Sequence, residues 1–525
     1  MGDQAAAKQT GLKKIFGSPV FRWIAIALFL GVFLFAYLKM GSLLLSQVNI
    51  TEKQMHGGDQ MHNMRLATQT RPDLNPDLTK GFSDGLTHFF PHRTDGVVQP
   101  LWPWIAAWFT DAGHQITEEA MQNKVVTDQD RKLFNRGRWF HVFMTAGFLV
   151  ALGIAAFRKF SFPAACNLLL LGAFGAFLPR AAYFQPEPLF YMFFFLTWLA
   201  CLSAFTHNTL WVYGLIGVLG GIAYMAKGSI SPLLMVFVGV STLRCLWELV
   251  TLRWRGFVMG DSNLWHWRNH LVGLLILLMA HLMTIGPRLT DAHEKFGDAF
   301  HSYPAYWMWM DQFSPDCYEW MDQHNTREEL AAMTPADKPS LGWYLQRHSG
   351  EEAITRLQDN TWNRLSEFFW PKQTKISDKI ENQKPWKGLL EWRGVYLLWL
   401  VGILLGMLAV LFLAAPKAEH LGHSVFRHGV LMKILFIAGS FSLYSLAYGW
   451  YAPIAHGSGD RFMLSLYLPV VFSLIWAAES IVRRIRLRHG SAWITRCYYA
   501  AQWMLLLAIA WRILEIARFP QFSNS

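Results

Sequence analysis

The sequence has few charged residues and few cysteines for its length. Of its 525 residues, 16% are charged and 53% are hydrophobic, and the hydrophobic residues occur in long runs. Its five cysteines form no CxxC pair, and four of them lie in or beside apolar runs. This composition excludes a disulfide framework and a cysteine-ligated zinc site, and it favours a protein that lies mostly within a membrane.

Basic regions interleaved with aromatic platforms, which are typical of nucleic-acid-binding domains, are also lacking. The formal net charge is +11, but the lysines and arginines are dispersed among the ends of apolar runs. Fixed-period repeats and low-complexity linkers are absent from the sequence as well. We therefore attribute the positive charge to membrane orientation and expect no nucleic-acid partner.

About eleven apolar segments are long enough, or nearly so, to cross about 30 Å of hydrocarbon. They comprise residues 20–37, 139–157, 162–178, 189–205, 210–226, 230–250, 271–285, 395–414, 430–450, 462–481 and 492–513. The sequence therefore predicts an all-α polytopic membrane protein.

The distribution of basic residues predicts its orientation. A lysine-rich stretch at residues 8–14 precedes the first segment, and no small-residue cleavage site precedes the polar region after it, as expected for a retained signal anchor. With the N-terminus in the cytoplasm, every basic short loop is cytoplasmic, namely residues 158–159, 253–268, 417–427 and 483–488. We predict a multi-pass protein of the inner (cytoplasmic) membrane whose C-terminus lies outside.

This topology divides the chain into membrane parts and outer regions. The predicted divisions are a cytoplasmic N-terminus 1–19, a first transmembrane part 20–286 with an outer loop 47–138, an outer-face region 287–393, a second transmembrane part 394–513 and an outer tail 514–525. Aromatic runs at 97–109 and 303–310 favour interfacial helices in the two outer regions, and residues 351–369 have a charged helical pattern.

Carboxylates in the first outer loop are candidates for proton transfer. Asp95 lies in the sequence HRTDG, directly before an aromatic run, where its carboxylate would hang near the outer membrane surface. An Asp-Gly pair is equally typical of a plain turn. Asp84, in SDG of the same loop, is a similar but weaker candidate.

Two further charged residues lie where predicted helices begin or break. Glu187 stands between Pro186 and Pro188 at a helix start, where the helix dipole favours a carboxylate, and Arg180 is a possible partner. Lys227 precedes a glycine at a break between two apolar segments. A lysine there either extends to water or holds a phosphate as a compact charge.

A third charged position follows the glycine-rich sequence HGSG, which begins at His456. Asp460 and Arg461 come directly after it, and an arginine fork matches phosphate oxygens, although a charged interface anchor explains the pair too. His266 and His270 are four residues apart but lie on the predicted inner side beside tryptophans. We predict no metal site.

Taken together, these features resemble the GT-C class of polytopic glycosyltransferases, which includes protein O-mannosyltransferases and lipid A aminoarabinose transferases. The likeness rests on an aspartate in the first long outer loop, the sequence PEPLF at 186–190, AKG at 226–228, and Arg461 opening a helix that reads LYLP at 466–469. It covers residues 20 to about 480. A paired acidic motif beside Asp95 is lacking, so the choice between Asp84 and Asp95 stays open.

The resemblance implies transfer of a sugar from a polyprenyl-phosphate carrier to an acceptor hydroxyl on the outer face, with inversion. Asp95 or Asp84 would take the acceptor proton, and Lys227 and Arg461 would stabilise the departing phosphate. The residues that would orient the substrate are Glu187, Arg180, His456 and Asp460. The implied partners are membrane lipid and a glycan, lipid or protein acceptor. No cofactor is predicted beyond the lipid-linked sugar donor, and the sequence specifies neither a divalent metal requirement nor an oligomeric state.

Three other functions fit parts of the pattern. A secondary transporter would have a similar number of helices, but its coupling charges should lie near the bilayer midplane rather than at helix ends. A membrane-bound acyltransferase would use an embedded histidine such as His281, which lacks a convincing partner. A non-catalytic assembly subunit would use the aromatic outer loops as docking surfaces.

Overall fold

The structure is a computed structural model that describes most of the chain. It covers residues 19–47, 59–71, 90–117, 125–207, 209–255, 266–334, 336–369, 384–413, 430–454, 459–489 and 492–518. Asp84, His456 and the two chain termini lie outside the described residues, and so do the side chains of Asp460 and Arg461.

Long helices dominate the described residues, which contain no strand. Ten candidate membrane spans, by length and composition, fall on α1 (Pro19–Gln47), α4 (Asp128–Lys159), α5 (Phe162–Gly172) with its continuation to Ala181, α7 (Glu187–Ala204), α9 (Ser231–Arg255), α10 (His266–Phe296), α16 (Lys384–Leu413), α17 (Val430–Tyr451), α18 (Tyr467–His489) and α19 (Ala492–Arg518). The apolar helix α8 (Leu210–Ala226) has 17 residues. The prediction of an all-α polytopic membrane protein is confirmed.

Shorter helices lie in the described parts of the two predicted outer regions. They are α2 (Asp59–Thr70), α3 (Leu101–Ala107), α11 (Tyr303–Trp307), α12 (Tyr318–Gln323), α13 (Arg327–Ala332), α14 (Leu341–Arg347) and α15 (Gly350–Phe369), while α6 (Leu178–Ala181) continues α5 through a π-helical turn. Both aromatic runs thus contain a helix, as predicted.

Two long helices extend further into the outer regions than their apolar segments do. Helix α4 begins at Asp128 because Thr127 and Asp130 form a reciprocal capping box. Helix α10 continues through Pro287 to Phe296. The predicted outer regions therefore include the ends of long apolar helices, and the end of α10 contacts the loop around Asp95.

One end of the bundle gathers the ends of three helices that the sequence places on the cytoplasmic side. The Arg22 guanidinium of α1 donates to the carbonyl of Phe157 at 2.6 Å, and the Ser161 amide donates to Glu479 of α18 at 3.0 Å. The start of α1, the end of α4 and the end of α18 therefore meet at one end of the bundle, consistent with the predicted sorting of basic loops.

Helices α8 and α10 pack closely because glycines line one face of α8. A Cβ added to Gly217 would lie 2.4 Å from the carbonyl oxygen of Leu277, and one added to Gly221 would lie 2.6 Å from Cβ of Thr284. Small residues allow helix backbones to approach closely in a membrane. Helix α8 also packs against α7, so the end of α8 and the start of α7 are held together.

Candidate active site

Asp95 forms a turn before α3. Its Oδ1 atom accepts hydrogen bonds from the amides of Val97 and Val98 at 2.9 and 2.8 Å. Gly96 has φ +80°, a left-handed conformation that glycine adopts without a steric penalty. The Asp-Gly turn expected from the sequence is therefore present, and it fixes the direction of the second carboxylate oxygen.

That second oxygen meets a histidine from α2. The Nδ1 atom of His62 lies 3.1 Å from Oδ2 of Asp95, and the two side chains are 19% and 15% exposed. The His62 and Asp95 side chains are hereafter the His62–Asp95 pair. Both side chains of this pair are therefore partly exposed.

The contacts of Asp95 favour its ionised form. Burial by itself raises the pKa of the Asp95 carboxyl, but the hydrogen bond and charge of His62 and the amide bonds from Val98 and Val97 outweigh burial, so the pKa lies below its ordinary value of 3.8. Asp95 is therefore a carboxylate at neutral pH. The same contacts make it a weak proton acceptor.

The Asp95 turn is also bonded to the C-terminal end of α10. The Thr94 amide donates to Asp291 at 2.9 Å, and Nζ of Lys295 donates to the Thr94 carbonyl at 3.0 Å. On its other side, the Tyr303 amide donates to the carbonyl of Gly96 at 2.9 Å. All three partners belong to the predicted outer region 287–393, which is distant in sequence from Thr94 and Gly96.

Glu187 and Lys227 form an ion pair between two helix ends. Nζ of Lys227 lies 2.8 Å from Oε1 of Glu187, and the lysine side chain is 20% exposed whereas the glutamate is 1% exposed. Glu187 is the first residue of α7, between Pro186 and Pro188, as predicted. Lys227 follows the last residue of α8 in an extended conformation, which confirms the predicted helix break.

A buried histidine lies close to Glu187 and packs against a tryptophan. His141 of α4 is fully buried, near enough to Glu187 to sense its charge. The ring of Trp102 in α3 packs against that of His141, with 4.0 Å between centroids and 33° between the ring planes. The ion pair therefore has one apolar, buried side and one side that reaches solvent through Lys227.

The Asp95 turn and the ion pair belong to adjoining parts of the structure. The turn leads into α3, which packs against α8, the helix that ends before Lys227. A Cβ added to Gly228 would lie 3.9 Å from Nε2 of Gln99, a residue between the turn and α3. The structure thus brings the predicted proton-acceptor loop and the predicted phosphate-binding lysine to the same region.

Of the remaining predicted site residues, the structure describes Arg180 in full and describes only the backbone of Asp460 and Arg461. Arg180 is half-buried in α6, in the connection that leads to Glu187. The backbone of Asp460 and Arg461 lies in a 3₁₀-helix, Gly459–Leu466, which packs against α7, the helix that begins at Glu187. The 3₁₀-helix that contains Arg461 and the ion pair's Glu187 therefore both involve α7. For Asp84 and His456 the structure describes no position.

Two histidines within the apolar part of α10, His270 and His281, contact tyrosines of α8. His270 pairs with the hydroxyl of Tyr213 near the other end of α8. His281 packs edge-on against the ring of Tyr224, with 5.9 Å between centroids. Within the parts of the chain that the structure describes, no group of three His, Cys, Asp or Glu residues is arranged to hold a metal ion.

Comparisons of the chain with protein-family profiles, with curated proteins and with solved structures find no match.

The sequence features described above identify neither His62 nor His141 as a site residue. His62 is 33 residues from Asp95, so no short-range spacing links them. His141 is a single histidine in an apolar segment, and its proximity to Glu187 and Trp102 arises only from the packing of α3, α4 and α7. Neither position carried a local sequence signal for the contact it makes.

Proposed function

We propose that the protein is a glycosyltransferase of the GT-C type, which moves a sugar from a polyprenyl-phosphate carrier to an acceptor hydroxyl at the outer face of the inner (cytoplasmic) membrane. The observation that carries the proposal is the ion pair between Lys227 and Glu187, placed at a helix break beside the loop that holds Asp95. A cation and a carboxylate at adjoining positions near a membrane surface meet the two electrostatic needs of this reaction.

The first need is to stabilise the leaving phosphate. In an inverting transfer, the acceptor oxygen forms a bond to the anomeric carbon while the bond from that carbon to the phosphate oxygen breaks, so negative charge grows on the phosphate. Lys227 has three N–H donors, so its bond to Glu187 is compatible with a bond to phosphate. Burial of Glu187 strengthens its attraction for the ammonium and fixes Lys227 in place. In this proposal Arg461 supplies the second cation.

The second need is to accept the proton of the acceptor hydroxyl. Asp95 supplies the negative charge for this step, and the turn at Gly96 with the contacts to α10 fixes its position. A preorganised charge costs no reorganisation during the reaction. Glu187, Arg180, Asp460 and His456 have the proposed role of orienting the sugar and the cations.

The proposal is tested with purified full-length protein and synthetic polyprenyl-phosphate monosaccharides. Lys227→Ala should weaken donor binding about tenfold or more, equivalent to at least about 1.4 kcal/mol. The matched control is Lys338→Ala, because Lys338 is an exposed lysine of the outer region that lies over the ring of Tyr306. Equal donor binding by wild type and Lys227→Ala would refute the phosphate role, and an inactive wild type with every donor would refute the proposed function.

A second comparison tests which aspartate serves the proton-transfer step. Asp95→Asn should lower transfer by about 10²–10⁴-fold while donor binding persists, since loss of a general base has that typical effect. Asp84→Asn should leave transfer near the wild-type rate. The reverse result would move the role to Asp84.

A further inference from the structure

We propose that Asp95 acts through His62, so that the His62 imidazole, rather than the aspartate itself, accepts the proton of the acceptor hydroxyl. This inference rests on the proposed function and adds to it a residue with a defined chemical role. It begins from the contact between the two side chains, where Nδ1 of His62 lies 3.1 Å from Oδ2 of Asp95.

The hydrogen bonds of Asp95 argue against direct proton uptake. Oδ1 accepts from two backbone amides, those of Val97 and Val98, and Oδ2 faces His62. Each of these contacts stabilises the carboxylate form relative to the carboxylic acid. An aspartate held in this way orients and stabilises a neighbouring cation better than it takes a proton from an alcohol.

The same geometry prepares His62 as a base. An ionised carboxylate only accepts hydrogen bonds, so its contact with His62 requires a proton on Nδ1. In the neutral imidazole the lone pair is then on Nε2. A histidine has an ordinary pKa of about 6.5, against about 3.9 for aspartate, so the imidazole is the stronger base near neutral pH.

A second histidine–aspartate pair in the same outer region provides an internal comparison. Nε2 of His114 lies 2.8 Å from Oδ1 of Asp130, and these side chains are only 4% and 6% exposed. Asp130 lies in the first turn of α4, and both side chains of that pair are buried, so a substrate could not reach them. The His62 side chain is 19% exposed, so of the two pairs the His62–Asp95 pair is the one suited to proton transfer.

The proposed step is balanced in atoms and charge. The acceptor O–H bond breaks and its proton passes to Nε2 of His62, while the acceptor oxygen bonds to the anomeric carbon and the phosphate departs with the electron pair of the broken bond. The resulting imidazolium is stabilised by the carboxylate of Asp95. After product release, the proton passes from His62 to water.

Two substitutions separate the functions of the two ring nitrogens. His62→Asn keeps an amide donor near the position of Nδ1 and removes the base, so it should retain donor binding and lose transfer about 10²–10⁴-fold. His62→Gly leaves space for added imidazole, which should restore part of the lost rate. His92→Asn is the control, because His92 lies in the same loop and its ring bonds to the carbonyl of Phe90.

The possible results are distinct. Loss of transfer in His62→Asn and Asp95→Asn, with donor binding kept and rescue of His62→Gly by imidazole, supports the inference. Near-wild-type transfer by His62→Asn while Asp95→Asn is inactive overturns it, since the aspartate then works directly. Full activity of Asp95→Asn with inactive His62→Asn also overturns it. A wild-type protein that transfers no sugar refutes the proposed function itself, whereas the two overturning patterns above leave that function standing.

Discussion

Lys227 and Glu187 join the end of α8 to the start of α7 through a contact of 2.8 Å that is buried on the glutamate side and reaches solvent on the lysine side. The pair therefore has both a structural and a binding consequence. Removing the lysine takes one cation away from a buried carboxylate, whereas removing both charges leaves no carboxylate charge to be compensated there.

This asymmetry gives a prediction that separates stability from donor binding. Lys227→Met should destabilise the protein by roughly 2 kcal/mol, below the roughly 3–5 kcal/mol of a fully buried pair because solvent reaches the lysine. The double variant Lys227→Met/Glu187→Gln should recover most of that stability but not the affinity for a polyprenyl-phosphate donor. Thermal unfolding in detergent, together with donor binding, measures both. Recovery of affinity in the double variant would rule out a direct phosphate contact of Lys227.

The contacts of Asp95 predict that the free energy of unfolding depends on pH in the acid range. Because the folded-state pKa of Asp95 lies below 3.8, its carboxylate contributes stability that is present above the unfolded-state pKa and is lost as pH falls through the folded-state pKa. Between about pH 5 and pH 2 the wild type should therefore lose more stability than Asp95→Asn. Unfolding midpoints measured across this interval test the sign. Parallel curves would show that the contacts of Asp95 contribute no ionisation-linked stability.

The turn at Gly96 predicts a difference between two glycine substitutions. Both Gly96 and Gly113 have positive φ, at 80° and 75°, but a Cβ at Gly96 would lie 2.6 Å from the ring of Tyr303 while a Cβ at Gly113 would meet no atom within 4 Å. Gly113→Ala should cost about 1–2 kcal/mol from backbone strain alone. Gly96→Ala should cost more and should also lower transfer. Equal unfolding midpoints for the two variants would contradict the predicted clash.

The predicted orientation is tested by cysteine labelling in intact cells. After replacement of the native cysteines, Lys338→Cys should react with a membrane-impermeant reagent and Arg488→Cys should not, because the basic segment 483–488 is predicted to be cytoplasmic. Lys338 is exposed in the structure, so protection of that position would not arise from burial. The opposite labelling pattern would reverse the topology and place the candidate site inside the cell.

Features set by neighbouring residues were predictable from the sequence. The start of α7 at Glu187 follows from its flanking prolines, the break at Lys227 precedes a glycine, and the turn at Asp95 needs only its own backbone and Gly96. The helical fold was equally accessible, since long apolar segments in a membrane satisfy their backbone hydrogen bonds as helices.

Features that join distant segments were not predictable. The contact of Asp95 with His62 spans 33 residues, and the bond from the Thr94 amide to Asp291 spans 197. Each depends on how α2 and α10 pack, which their own periodicity does not determine. The same limit applies to Pro287, where the sequence indicates an end to the helix but α10 continues to Phe296.

The glycine-lined contact between α8 and α10 determines how far apart two parts of the proposed site lie. Helix α8 ends before Lys227, and α10 holds the Asp95 loop through Asp291, so the separation of these two parts depends on how closely the helices approach. A larger side chain at Gly217 or Gly221 would force the helices apart and widen that gap. In the proposed glycosyltransferase, tolerance for a bulkier sugar would therefore arise by substitution of these two glycines, while every residue with a proposed chemical role stays unchanged.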